Sequence, residues 1–350
     1  MRVKLGDVCE RGTSNLKLSD VSEKNGEFSV FGASGYIGSV DFYQQGYPYV
    51  AVVKDGAGIG RAMLCPGKTS VIGTMQYLLP KDNILPKYLF YVVKYMNLEK
   101  YFTGATIPHI YFKDYKNEEF NFDFWERQVE IVSVLSKCEK VIDLCKQELQ
   151  LLDKLIKARF VELFGDPVSN SYGLPEATLP DLGEFGRGVS KHRPRNDIKL
   201  LGGKYPLIQT GDVANAGLYI TSYSSTYSEL GLKQSKMWDK GTLCITIAAN
   251  IAKTAILEFD ACFPDSVVGF IANERTNNIF VHYWFSFFQA ILESQAPESA
   301  QKNINLKILS ELKVIVPEKR KQDQFASFVK LTDKSKVAVR KYQKLQCKKH

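Results

Sequence analysis

Apolar residues recur along the middle of the chain with a period that no strand can use. Leu135, Cys138, Ile142, Cys145, Leu149, Leu152 and Ile156 alternate by three and four positions. That spacing lines one face of a helix that needs a partner helix. The run predicts a helix from 126 to 164. It starts after Asp123, with Glu126 three residues on as a capping pair, and stops at Gly165 ahead of Asp166-Pro167. At 1.5 Å per residue it spans roughly 58 Å. Upstream, short β-branched or aromatic runs bounded by Gly, Pro and Asn predict strands at 28–31, 49–53, 61–64 and 75–79, then an apolar helix over 88–96. The stretch Ile279 to Leu292 is interrupted by His282, Ser286 and Gln289, and reads as a buried helix rather than a membrane span. A second long helix is predicted from Glu318. Its seam runs through Phe328, Leu331, Ser335, Ala338, Tyr342 and Leu345 and is more polar than the first. A register through Thr332 and Val339 fits almost as well.

The second half repeats the first. At an offset of 194, Ile110, Lys113 and Gln128 meet Ile304, Lys307 and Gln322, while Phe112, Phe120 and Phe122 meet Leu306, Val314 and Val316. At an offset of 192, Gly58-Ile59-Gly60-Arg61 falls on Asn250-Ile251-Ala252-Lys253, and the helix 88–96 falls on 280–288. At the start, Leu5, Asp7 and Glu10 pair with Leu179, Asp181 and Glu184. Each identity is weak; their order and near-constant offset carry the repeat. The expected fold class is α+β. Two tandem mixed α/β domains each lead into a long helix, and the helices pair as an antiparallel coiled coil with pseudo-two-fold symmetry. The expected boundaries are 1–125 and 166–317 for the domains, and 126–165 and 318–350 for the helices.

Charge narrows the picture less than its total suggests. The net +8 is concentrated in residues 315–350; the rest of the chain is balanced. A general "basic protein, hence nucleic acid" argument therefore fails, and only the tail and local loops are basic. Seven cysteines without a CxxC pair read as reduced thiols of a cytosolic protein, and four scattered histidines give no zinc site. No signal peptide or membrane-length span is expected, so the location reads as cytoplasmic.

Two motifs imitate nucleotide sites. VAVVKDGAGIGRA (50–62) looks like a dinucleotide fingerprint, but Arg61 stands at the last glycine and Pro66-Gly67 comes too soon for a helix. AMLCPGKTS (62–70) imitates a phosphate loop around Lys68 and Thr69, with Ala in place of the first glycine and a poor helix start after it. An NTPase using Lys68 and Thr69 is the remote alternative. A coiled-coil interaction scaffold without DNA contact is the nearer one.

Several segments resemble the specificity subunit of type I restriction-modification systems. GATIPHIYFKDY (104–115) with WERQVEIVSVLSKCEKVIDL (125–144) is similar to the family's junction of domain and helix. LLDKLIKARFVELFGDP (151–167) resembles the end of its central helix, and YPLIQTGDVANAG (205–217) and SAQKNINLKIL (299–309) resemble segments of its second unit. The resemblance covers essentially the whole chain. The second helix departs from it, having no counterpart of ARFVELFGDP. The resemblance implies two target recognition domains reading a bipartite, asymmetric site on double-stranded DNA, with the helices as spacer. It implies methylation subunits in two copies, which restriction subunits join, with S-adenosylmethionine and ATP bound by those partners and no cofactor or metal bound by this chain. This subunit is then non-catalytic, in keeping with the lack of an Asn-Pro-Pro-Tyr adenine pocket or a nuclease-like acidic cluster.

Base reading needs forked donors and amides, and phosphate positioning needs Lys, Arg or hydroxyls. The loop 187–197 carries Arg187, Lys191, His192, Arg193 and Arg195 without regular apolar spacing. The loops entering the long helices carry Thr106 and His109, and Gln301, Lys302 and Asn303. Lys54 and Arg61 flank Gly56, Gly58 and Gly60, and Asn250 and Lys253 stand at the repeat's equivalent. These are the DNA-contact candidates. The glycines themselves read as a tight hairpin.

Overall fold

The computed structural model describes residues 1–21, 26–104, 108–248, 251–295 and 304–348. They form two compact units, Met1–Ile142 and Asp143–Lys348.

Unit 1 is built on four short antiparallel strands: β1 (Cys9–Thr13), β2 (Tyr49–Val53), β3 (Ala62–Cys65) and β4 (Met75–Pro80), in the order β1-β4-β2-β3. All five residues of β2 are buried, which is why it reads as an unbroken apolar run rather than an alternation. Helix α1 (Pro86–Met96) covers one face through Tyr88, Leu89, Val93 and Met96. On the other face Tyr49, Ala51, Val53 and Tyr77 form a separate cluster. A small second sheet, Phe28–Gly32 with Gly35–Val40 and Ser70–Val71, continues from that side. The long helix α2 (Trp125–Phe164) leaves unit 1, and its residues 143–164 belong to unit 2. It ends where Gly165 turns to a φ of +75°. A Cβ there would sit 2.5 Å from Ser171 Oγ, so only glycine closes this helix as built.

Unit 2 repeats the frame: β5 (Gly183–Arg187), β6 (Leu243–Thr246), β7 (Thr254–Leu257) and β8 (Val267–Ala272), ordered β5-β8-β6-β7 and antiparallel throughout. One addition is a short parallel strand, Tyr219–Ile220, beside β7. Helix α3 (Asn278–Gln295) covers the sheet and is followed by α4 (Lys319–Lys348). The repeat reaches the hydrogen-bonding level. Gln128 and Gln322 are both fully buried. Gln128 Nε2 donates to the carbonyls of Asn83 and Asp123, at 3.0 and 2.9 Å, and its Oε1 accepts from Leu85 N at 2.9 Å. Gln322 Nε2 donates to the carbonyls of Arg275 and Pro317, at 3.0 and 2.8 Å, and its Oε1 accepts from Thr276 Oγ1 at 2.8 Å. Each long helix is thus tied to the segment leading into its own domain helix. An unpaired buried amide would cost about 1–3 kcal/mol, so these bonds are a strong constraint.

Within unit 2, α2 and α4 run antiparallel. Phe164 stacks edge-on with Phe325, and Asp153 meets the Lys336 ammonium. Eleven residues backward on one helix match eleven forward on the other, about three turns each. Along α2, Cys145 and Ile156 are buried, while Leu135, Cys138, Ile142, Leu149 and Leu152 are half-buried. The seam of α4 requires a correction. Leu331, Tyr342 and Leu345 are exposed, and Phe328 is only half-buried. The buried run is Gln322, Phe325, Val329, Thr332, Lys336 and Val339, the alternative register. Polar residues can occupy it because each finds a partner. Thr332 Oγ1 donates to its own helix at Phe328 O, 3.0 Å, and Lys336 pairs with Asp153.

No helix among the described residues is long and apolar enough to cross a membrane.

Candidate DNA interface

In unit 1 the β2–β3 turn is an interlocked corner. Gly56, Gly58 and Gly60 all have positive φ, between +76° and +85°. A Cβ on Gly60 would lie 2.4 Å from Glu99 N, so the turn rests on the backbone beyond α1. The hairpin reading holds, and a dinucleotide loop, which needs a helix after the glycines, is not what forms. Residues 108–110 are sewn to this turn. Ile110 N donates to Lys54 O at 2.9 Å and Gly56 N to Pro108 O at 3.0 Å. His109 Nδ1 lies 2.7 Å from Asp55 Oδ1, and Lys54 Nζ is 3.7 Å from Asp55 Oδ2. Arg61 Nη1 reaches from the same turn to Ala33 O, 3.3 Å away at the tip of the neighbouring hairpin. Three sequence candidates, Lys54, Arg61 and His109, are therefore gathered on one corner. Asp55 joins them unforeseen. A half-exposed carboxylate there can orient both Lys54 and His109, or accept from a base amino group such as cytosine N4. Thr106 lies outside the described residues.

The phosphate-loop lookalike is a corner that passes from the four-stranded sheet to the small second sheet of unit 1. Residues 62–65 and 70–71 are strands, and no helix follows Lys68 and Thr69. Thr69 is buried, with its hydroxyl 3.0 Å from the Tyr49 hydroxyl and donating to Pro66 O at 2.7 Å. No cradle of backbone N–H groups at a helix start is left for a phosphate.

In unit 2 the candidates divide. Lys253 immediately precedes β7 and turns back into the unit, its Nζ 3.2 Å from Gln289 Oε1 on α3. It lines a cavity of about 380 Å³ with Lys157, His282, Lys336 and Arg340. The imidazole of His282, whose Nδ1 is 2.9 Å from Thr254 Oγ1, is pushed down to about 4 by burial and then by the Lys336 charge. The loop 187–197 is clasped to its own unit. Asp265 takes Arg195, and Arg193 Nη2 at 3.4 Å. Arg193 Nη1 also donates to the carbonyls of Ser190 and His192, at 2.6 and 2.9 Å. His192 Nε2 is 3.1 Å from Asp197. Arg187 and Lys191 are exposed. Asp265 therefore holds the two arginines in a fixed fork, a geometry suited to phosphate or guanine. Nothing in the local sequence announced Asp265, which lies 70 residues from Arg195. Asn250, Gln301, Lys302 and Asn303 lie outside the described residues.

Comparison with known proteins agrees with this layout. Residues 1–154 and 176–347 match the family described as type I restriction modification DNA specificity domain. The match takes in nearly all of the chain, in two copies, and the chain belongs to that family. It is 22% identical over 292 residues to the MjaX type I restriction enzyme specificity subunit of Methanocaldococcus jannaschii, covering 79% of this chain and 68% of that protein. Over 179 residues it is 26% identical to the MjaIX specificity subunit of the same organism, covering 46% of this chain and 40% of that one. The fold is similar to the crystal structure of the type I restriction-modification S subunit from M. genitalium, with a TM-score of 0.65 at 17% identity, over 99% of this chain and 92% of that one.

Proposed function

We propose that this chain chooses the DNA site of a type I restriction-modification complex. Its two units read the two halves of a bipartite, asymmetric sequence, and α2 and α4 form the spacer between the reading surfaces. The observation that carries this is the repeat itself. One frame is built twice down to Gln128 and Gln322, and carries different polar groups on its loops. In unit 1 the turn after β2 holds Lys54, Asp55, Arg61 and His109; in unit 2 the cations Arg187, Lys191, Arg193 and Arg195 lie on the loop after β5. Unlike donor sets on like frames suit two unlike half-sites.

Catalysis then belongs to partners: methylation subunits in two copies, which restriction subunits join, carrying S-adenosylmethionine and ATP. One feature supports docking on the helix pair. Leu144, Leu151 and Leu155 on α2, and Leu331, Tyr342 and Leu345 on α4, are exposed. Leu144, Leu151 and Leu155 each sit one position before a seam residue of α2, and Leu331 one before Thr332; the same three-and-four spacing carried on from Val339 puts Tyr342 and Leu345 one before its next two positions. In an antiparallel pair, equal offsets from the seam fall on one side, so these residues share a face. An apolar face of this kind is a protein-binding surface.

Mapping methylated adenine in cells given this chain with its methylation subunits tests the reading. We expect one new two-part motif with a fixed gap. Absence of any new motif, together with no salt-sensitive gel shift by the complex, would overturn it.

A further inference from the structure

Three helices of unit 2 turn polar stripes toward one cavity of about 380 Å³. α2 supplies Asp153 and Lys157, α3 supplies His282 and Ser286, and α4 supplies Asp333, Lys336 and Arg340. Spacings of three and four place each set on one helix face. Lys253, just ahead of β7, lines the same space. The lining thus carries four permanent cations against two carboxylates.

Within the fold these cations are poorly matched. The Lys336 side chain is only 8% exposed, and its one ion pair among the described residues is with Asp153, whose own side chain is 66% exposed. An ammonium has three donors, and burying it is costly unless they are met. Lys253 meets only the neutral amide of Gln289, and Lys157 Nζ lies 5.8 Å from the centre of the Phe287 ring. Among the described residues the Arg340 guanidinium has no ion pair, and it lies over Gly217, where a Cβ would be 3.8 Å from Nη2. The surplus charge is felt at His282, whose affinity for a proton is lowered by burial and then by Lys336. A second cavity of about 360 Å³ adjoins the first, sharing Gly217, Asp333 and Arg340 and adding Tyr219, Thr221 and Ser222.

We propose that this cavity binds the phosphate group of a small solute, held by Lys157, Lys253, Lys336 and Arg340. Charge selects the group: a phosphate monoester carries about −1.5 to −2 at neutral pH, which offsets the surplus of the lining. The adjoining cavity leaves room for the rest of an ester. Shape disfavours duplex DNA as the source. Its phosphates lie on a convex rod, whereas the Lys336 ammonium is recessed among three helices. Bound there, the group bridges α2, α4 and the start of β7, and stabilises unit 2 by mass action.

The test uses the full chain with isotope-labelled histidine, followed by NMR near neutral pH at constant ionic strength. Inorganic phosphate and adenosine monophosphate are the probes, and their relative affinities tell the free ion from an ester. The His282 signal, assigned with His282→Phe, should move saturably, and adenosine without phosphate should leave it in place. Arg340→Gln, at an exposed position and checked for folding by its circular dichroism, should weaken binding at least about tenfold. Lys341→Gln, one position on and outside the cavity, should leave it unchanged. Absence of a saturable shift with either probe, binding unchanged by Arg340→Gln, or a shift produced by duplex DNA alone would each overturn the proposal.

Discussion

The turn after β2 and the turn after β6 occupy the same place in the repeat, yet they use their cations in opposite ways. In unit 1, Lys54 and Arg61 stay at the corner, tied to Asp55 and to a hairpin tip. In unit 2, Lys253 folds inward to Gln289, and the outward cations come from the loop 187–197 that Asp265 clasps. The length of the domain helix accounts for part of this. α1 stops at Met96, and the backbone just beyond it supports Gly60; α3 runs on to Gln295, so Gln289 is helical and available to Lys253. A frame that repeats faithfully can therefore present unrelated donor sets, because the donors hang from turns and helix ends that the core does not constrain.

The strongest way to break this comparison is to exchange residues 170–315 for the corresponding unit of another family member. One half of the methylated motif should be replaced entirely and the other kept; a change in both halves would mean that the units do not read independently. Next in size is the aromatic packing of α2 in unit 2, where the buried Phe160 ring lies 5.3 Å from both Phe280 and Phe325. Phe160→Ala should cost about 3–5 kcal/mol of unit 2 stability in urea unfolding, whereas Tyr95→Ala, at an exposed position of α1 in unit 1, should cost under about 0.5 kcal/mol. A third test uses acid. His282 titrates near 4 in the folded unit and near 6.5 when unfolded, so the unfolded state binds more protons between those values. The stabilisation is complete above about pH 6.5 and is lost as the pH falls toward 4, up to about 3 kcal/mol. The counterpart in unit 1 is Phe90, so unit 2 should melt first in that window, and His282→Phe should flatten its profile. The smallest effect is expected for Lys54→Ala, which should lower the salt dependence of DNA binding by about one counterion without altering the motif. A shifted motif instead would mark Lys54 as a base-reading group.

The strands at 49–53 and 75–79, the helix ending at Gly165 and the start of α4 could all be read from period and punctuation, because each is set by neighbours within a few residues. The strand Gly35–Val40 could not, since its glycines imitate a turn and its pairing with Phe28–Gly32 is irregular. The α4 seam failed for another reason. Counting apolar residues favours Leu331, Tyr342 and Leu345, whereas burial goes to Thr332 and Lys336, whose partners lie on the helix backbone and on α2. Carrying the offset of 194 into the helix would have found it: Leu135, Cys138, Ile142 and Cys145 map onto Val329, Thr332, Lys336 and Val339. Asp55 and Asp265 were invisible because His109 and Arg195 lie 54 and 70 residues away from them. Only the folded chain supplies such pairs.

Gln128 and Gln322 have a consequence for heredity. Of their six bonds, five end on main-chain carbonyls or N–H groups, and the sixth on a threonine hydroxyl. A joint that grips the backbone takes little notice of which side chains decorate the loops around it. Foreign loops spliced between the same end points would meet the long helix at the same angle. Recombination can thus shuffle what the protein reads while the joint itself goes unedited.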